Sequence, residues 1–260
     1  MKIQLDAIAY TNRLRHIYPA QKVGFGLCML LFVLLSHTLV HAAVFMWMSA
    51  WIVLRAGISG RVYVRLLGAV TLFLMLGLPP LVVEISAAPP TDTVLFQFSA
   101  ASWHIYGSRE GVEKAGMLLI RSLASVSCLY FILLTVPFTE LLTVLRRVKV
   151  PVLLTDLLLV MYRFVFVFLE TAEQLWTAQQ ARSGSGRFRK KIRDAGFLIV
   201  RLFTRTFQRY QQLSIGLAAR GFTGDLRVIS TASFSGAGRY GVEAVVGFVL
   251  LVALEWWTRR

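Results

Sequence analysis

Two short segments carry the residues best suited to recognising another protein. Ala181-Arg182-Ser183-Gly184 and Ala219-Arg220-Gly221-Phe222 each set one arginine between small residues. Gln179-Gln180 precede the first directly, and Gln211-Gln212 lie a little upstream of the second. A small residue on each side of an arginine at a helix end lets the backbone approach a partner closely while one guanidinium reaches into it. The planar fork of that guanidinium pairs bidentately with carboxylates and with backbone carbonyls. Taken singly, each tripeptide is also an ordinary helix C-terminus, with glycine ending the helix and arginine complementing its dipole. Their repetition about 38 positions apart favours the recognition role.

Other chemistry-bearing residues lead elsewhere. Asp156, Arg163 and Glu170 recur every seven residues on one helix face; they read as a structural ion network that locks helices, with a proton relay as the competing reading. Arg187, Arg189, Lys190, Lys191 and Arg193 form a basic cluster suited to anionic lipid head groups or to a solvated positive loop. Gly184-Ser185-Gly186 followed by lysines lacks the G-x-x-x-x-G-K-[ST] phosphate loop and a preceding strand, so no nucleotide site is expected. Cys28 and Cys128 each lie in an apolar run and read as small core residues. His16, His37, His41 and His104 are dispersed, and no metal site is assigned to them. Arg121 lies deep in an apolar segment without an identifiable partner.

The elements that position these residues belong in a bilayer. Of 260 residues 57% are hydrophobic and 16% charged, with a mean hydropathy of +0.65, too apolar for a soluble domain. The net charge of +15 on such a chain marks cytoplasmic segments rather than nucleic-acid binding. Val23 to Leu54 holds no Lys, Arg, Asp or Glu over 32 residues, which reads as a hairpin of two short spans turning at Ser36, His37, Thr38 and His41. Leu66 to Val83 is a third span, ended by Pro79-Pro80. Residues 85–109, rich in Pro, Ser, Thr and aromatics, are expected as an interfacial loop. Gly111 to Val136 is a fourth span, and Gly241 to Trp257 a fifth. The first 20 residues carry Asp6, Arg13 and Arg15, so no cleavable signal is expected.

Residues 137–239 hold 16 of the 28 basic residues and read as a helical domain at or under the membrane surface. One helix is predicted from Pro151 to about Gln180. A second, from about Lys191 to Leu217, has a basic stripe of Arg201, Arg205 and Arg209 and an aromatic face of Phe203, Phe207 and Tyr210. Counting basic residues by segment places the N terminus, the first connecting loop and residues 137–239 in the cytoplasm and the C terminus outside. The expectation is an all-α integral membrane protein of the cell inner membrane, with about five transmembrane helices and a cytoplasmic or interfacial α-helical coupling domain. Its parts are residues 1–136, 137–239 and 240–260.

The paired Ala-Arg-Ser and Ala-Arg-Gly in a basic cytoplasmic helical domain resemble the signature of the transmembrane T component of energy-coupling factor (ECF) transporters. The opening Leu5-Asp6-Ala7, Asn12-Arg13-Leu14-Arg15, Pro19 and Lys22 resembles the cobalt-type branch of that family. The resemblance spans essentially the whole chain. It implies a non-enzymatic subunit, without a cofactor of its own, that links two ABC ATPase subunits, which bind the ATP, to a membrane substrate-binding S component; a small accessory membrane subunit and lipid are further implied partners. The importer would carry cobalt, with nickel or a vitamin as alternatives. Arg182 and Arg220, flanked by Ala181, Ser183, Ala219 and Gly221, would each enter a groove on one ATPase. The chain departs from the pattern in the flexible Gly184-Ser185-Gly186-Arg187 after the first motif. Two other function classes fit less well. An integral-membrane enzyme acting on an anionic lipid would show clustered carboxylates for Mg²⁺, whereas the 13 here are dispersed. A secondary transporter would show inverted repeats, and five unequal spans do not divide that way.

Overall fold

The computed structural model describes residues 5–86, 94–100, 103–183, 188–221 and 238–258. The chain divides into two compact units, one of Met1–Leu141 with Ala232–Arg260 and one of Leu142–Thr231.

The larger unit opens with α1 (Leu5–Thr11) and a 3₁₀ turn at Arg13–His16. Pro19 then begins α2 (Pro19–Leu35), where its fixed φ and missing N–H fit the first helical turn. The expected turn of the first hairpin falls at Ser36 and His37, before α3 (Thr38–Ala50). His41 lies inside α3 and is buried. α3 continues into a π turn, Trp51–Arg55, and Gly57, at φ +70°, reverses the chain in a conformation that suits glycine. α4 (Gly60–Gly77) stops before Pro79, and α5 (Pro79–Val82) is one short turn. α6 (Arg109–Thr135) is the long central helix. α10 (Gly238–Thr258) closes the unit.

The segment expected as a loop at 85–109 instead contains three short strands, β1 (Val83–Ser86), β2 (Val94–Ala100) and β3 (Trp103–Ser108). They form an antiparallel sheet in the order β1-β3-β2. Ile85 pairs with Ile105, and Phe98 pairs with Ile105 from the other side. The aromatic and β-branched residues that suggested an interface also suit a pleated ribbon.

Aromatic residues fill the core of this unit. Phe131 of α6 is 1% exposed and meets Phe25 and Trp51 edge-on, at centroid distances of 5.6 and 6.2 Å, an arrangement ring quadrupoles favour. Gly247 lets α10 approach Trp47 of α3, since a Cβ there would lie 2.1 Å from the ring. Small residues at such crossings let membrane helices pack by van der Waals contact. Cys128 is buried as expected, but Cys28 is exposed.

The smaller unit consists of the end of α7 (Phe138–Arg147), then α8 (Val152–Ser183) and α9 (Phe188–Ala219). α7 is a short helix that no long apolar run announces. The carbonyl of Pro151 accepts from Leu154 and Thr155 at the start of α8. α8 and α9 pack on each other, burying Leu202.

Five helical segments are long and apolar enough to cross a membrane: Thr38–Arg55, Gly60–Val82, Arg109–Thr135, Val152–Ala181 and Tyr240–Thr258. The number matches the sequence expectation, but the set differs. α2, with 17 residues, is shorter than these five, although still near the roughly 17–25 residues of a crossing. α8, read from sequence as a surface helix, joins them because few charges interrupt it. The chain is thus a helical, multi-pass membrane protein.

Candidate functional site

The two arginine motifs fall at helix C-termini. Ala181, Arg182 and Ser183 are the last three residues of α8. Ala219 ends α9, and Arg220 and Gly221 form the turn beyond it. The Arg220 and Gly221 N–H groups donate to the Leu217 and Ala218 carbonyls at 3.1 Å. Gly221 takes φ +70°, the left-handed stop in which glycine carries no Cβ penalty. Helix carbonyls at this end are thereby satisfied, and Arg220 stands exposed. The loop at 184–187 and the side chains of 182–191, which include most of the basic cluster, lie outside the described residues. α9, between the two motifs in sequence, has 32 residues, about 48 Å of helix at 1.5 Å per residue.

Asp156 is met by Arg146, not by Arg163. The Arg146 Nη2 donates to Asp156 Oδ1 and its Nε to Thr155 Oγ1 at 3.0 Å, so the fork joins α7 to the first turns of α8. Arg163 and Glu170 are exposed, and Glu170 Oε1 accepts from Gln174 Nε2 at 3.5 Å. Among the described residues no ion pair links Asp156, Arg163 and Glu170 to one another. Residues seven apart stand about 10 Å apart along a helix, beyond direct pairing, and a charge on α7 comes closer to Asp156. Basic Arg201, Arg205 and Arg209 of α9 are exposed, as are Phe203, Phe207 and Tyr210. The aromatic face continues through a Phe203–Phe207 stack at 6.4 Å. Exposed large apolar residues on both long helices, among them Leu153, Met161, Trp176, Phe197 and Ile215, leave more apolar surface than a soluble monomer carries.

In the larger unit, Arg121 finds the partner its sequence left open. Its Nη2 donates at 2.8 Å to the Leu34 carbonyl, one of the orphan acceptors at the end of α2. His37 holds Glu255 through both its backbone N–H, at 3.2 Å, and its ring Nδ1, at 2.6 Å. His41 Nε2 lies 2.9 Å from the Val33 carbonyl. Both histidines therefore bind α2 and α10 to α3.

Asp6, Asn12 and Lys22 of the N-terminal pattern meet in a polar cluster that the sequence did not announce. At the junction of α6 and α7, Asn12 Nδ2 donates to the Leu134 and Thr135 carbonyls at 3.4 and 3.1 Å. Lys22 Nζ donates to the Thr135 carbonyl at 3.0 Å and lies 3.6 Å from Glu140 Oε2. Asp6 Oδ1 accepts from the Phe138 N–H at 3.3 Å, and the Tyr10 and Thr139 hydroxyls are 2.7 Å apart.

Comparison with known proteins places these features in context. Residues 11–230 match the family described as CbiQ, cobalt transport protein. The chain is 28% identical to the cobalt transport protein CbiQ of Salmonella typhimurium over 86% of its own length and 99% of the relative's. It is 38% identical to the CbiQ of Rhodobacter capsulatus over 47% of its length and 50% of that protein. Similarity extends to the energy-coupling factor transporter transmembrane protein EcfT of Brevibacillus brevis, 28% identical over 64% of this chain and 65% of that one.

Proposed function

Because the chain belongs to the CbiQ family of cobalt transport proteins, and so forms a transmembrane component of an ECF-type transporter, we propose that it couples ATP hydrolysis on two ABC ATPase subunits to cobalt import through a membrane substrate-binding subunit. The observation that carries this reading is the placing of the two Ala-Arg-small motifs at the C-terminal ends of α8 and α9. Two long helices each present one arginine end to one of two similar partners. Each guanidinium enters a groove of one ATPase, and closure of the ATPase pair moves the two ends together. The chain itself contributes no catalytic residue and holds no cofactor, and ATP stays on the partner subunits. Its N terminus and residues 137–239 face the cytoplasm of a cell with this protein in its inner membrane. The exposed apolar faces of α8 and α9 lie against the substrate-binding subunit, a small accessory membrane subunit or lipid. In a second reading, consistent with kinship to an energy-coupling factor transporter protein, the same machinery carries nickel or a vitamin.

Co-expression with the ATPase and substrate-binding subunits, followed by reconstitution into vesicles, tests the proposal. ATP-dependent uptake of Co²⁺ that requires this chain is the expected result. ATP-dependent uptake of Ni²⁺ or a vitamin in place of Co²⁺ would favour the second reading. Uptake independent of ATP, or equal without this chain, would overturn both.

A further inference from the structure

We propose that the N-terminal segment is a clasp that sets the angle of the α6–α7 elbow, with Asp6, Asn12 and Lys22 as positioning residues for coupling. The inference rests on the coupling reading above for its consequence, but the clasp itself rests on geometry.

The elbow has a defined chemical problem. α6 ends at Thr135 and α7 begins at Phe138, with Pro137 between them. Proline donates no hydrogen bond, so the last carbonyls of α6 cannot be satisfied by a continuing helix, and the first N–H groups of α7 are equally orphaned. The Pro137 region is buried, with Leu134 and Thr135 both 0% exposed, so water does not supply the missing partners. Buried polar groups left unpaired are costly.

One stretch of chain supplies partners on both sides of the break. Asn12 and Lys22, themselves 7% and 3% exposed, donate to the Leu134 and Thr135 carbonyls of α6. Asp6 accepts the Phe138 N–H at the start of α7, where a carboxylate also complements the helix dipole. Lys22 extends across the break to Glu140 in the first turn of α7, and Tyr10 reaches Thr139. The same segment is anchored to the α3–α4 turn: the Arg13 N–H donates to the Ala56 carbonyl at 3.1 Å, and the Arg13 side chain packs over Gly57. Because Asp6 and Tyr10 bind α7 while Asn12 binds α6, the bend cannot open or swivel without breaking bonds on one side. α7 is the element through which the chain passes into the smaller unit, so a fixed elbow turns displacement of the coupling helices into displacement of α6. A loose elbow absorbs it.

Pulsed electron paramagnetic resonance on the full chain in lipid measures the elbow directly. With Cys28→Ala and Cys128→Ala as background, spin labels at Leu129→Cys and Arg147→Cys report the α6–α7 distance. A narrow distribution is expected for the native residues, a broadened one for Lys22→Met, and recovery with Lys22→Arg. In the reconstituted complex, Lys22→Met keeps the ATPase subunits bound while Co²⁺ imported per ATP hydrolysed falls several-fold, and Lys22→Arg restores the ratio. A distribution and a transport ratio both unchanged in Lys22→Met would overturn the proposal. Should Lys22→Met fail to reach the membrane, Asp6→Leu, which keeps roughly the side-chain size but removes the acceptor for the Phe138 N–H, decides on the same two readouts. If the native chain retains no ATPase, the coupling reading fails, while the distance measurement still tests the clasp.

Discussion

Glu140 sits where burial and charge pull in opposite directions. Burial outweighs the attraction of Lys22 and Arg15 and holds its carboxyl above the ordinary carboxylate range. The folded chain therefore binds that proton more tightly than the unfolded chain does. A raised carboxyl contributes stability that is complete below the ordinary carboxylate pKa and is lost as pH rises through the higher folded value. Glu140→Gln keeps an oxygen toward Lys22 and removes the titration. The detergent-solubilised protein is therefore expected to lose less thermal stability between acidic and neutral pH when it carries Glu140→Gln; identical pH profiles for the two would contradict this account of the residue. At this scale the sequence exposed some contacts and hid others. The arginine motifs and their helix-end positions were legible because glycine and arginine mark helix C-termini locally. The true partner of Asp156 was not, since Arg146 lies ten positions upstream on α7, a helix with no apolar run to announce it. The contacts of Asp6, Asn12 and Lys22 join residues more than 110 positions apart, a distance across which spacing carries no information.

α8 is the element whose placement matters most. Its composition allows it to cross a bilayer, yet a crossing would carry Arg182 to the opposite side from Arg146 and Arg147, against the bias of basic residues toward the cytoplasm. The proposed coupling role needs α8 at the cytoplasmic surface, with its exposed apolar residues against partner subunits or lipid. A single cysteine at Ser183 should react only with reagents that enter the cytoplasm, and one at Thr91 with impermeant reagent added outside intact cells. Labelling of position 183 from outside would make α8 a span or reverse the topology. Most helices were legible because apolar runs of near-bilayer length are the strongest signal a sequence gives, and the Pro79-Pro80 stop fell where expected. The sheet of residues 83–108 was not legible, because strand pairing such as Ile85 with Ile105 is settled by neighbours brought together in three dimensions.

At the scale of the whole molecule, the proposed role of the chain is that of a connector. Its larger unit packs a membrane core around Phe131, its smaller unit holds two long helices with uncovered apolar and basic faces, and its two arginine motifs end those helices. The central claim is that Arg182 and Arg220 are the points at which two ATPase subunits hold this chain. Loss of one partner from a buried, charged hydrogen-bonding pair costs about 2–5 kcal/mol at an interface. Arg182→Glu or Arg220→Glu alone should weaken retention of the ATPase, and the two together should abolish it. The decisive measurement is the amount of ATPase that co-purifies with Arg182→Glu/Arg220→Glu from membranes containing normal levels of the variant chain. None above background is expected, and a full complement of bound ATPase with normal transport would contradict the coupling role of the two arginines.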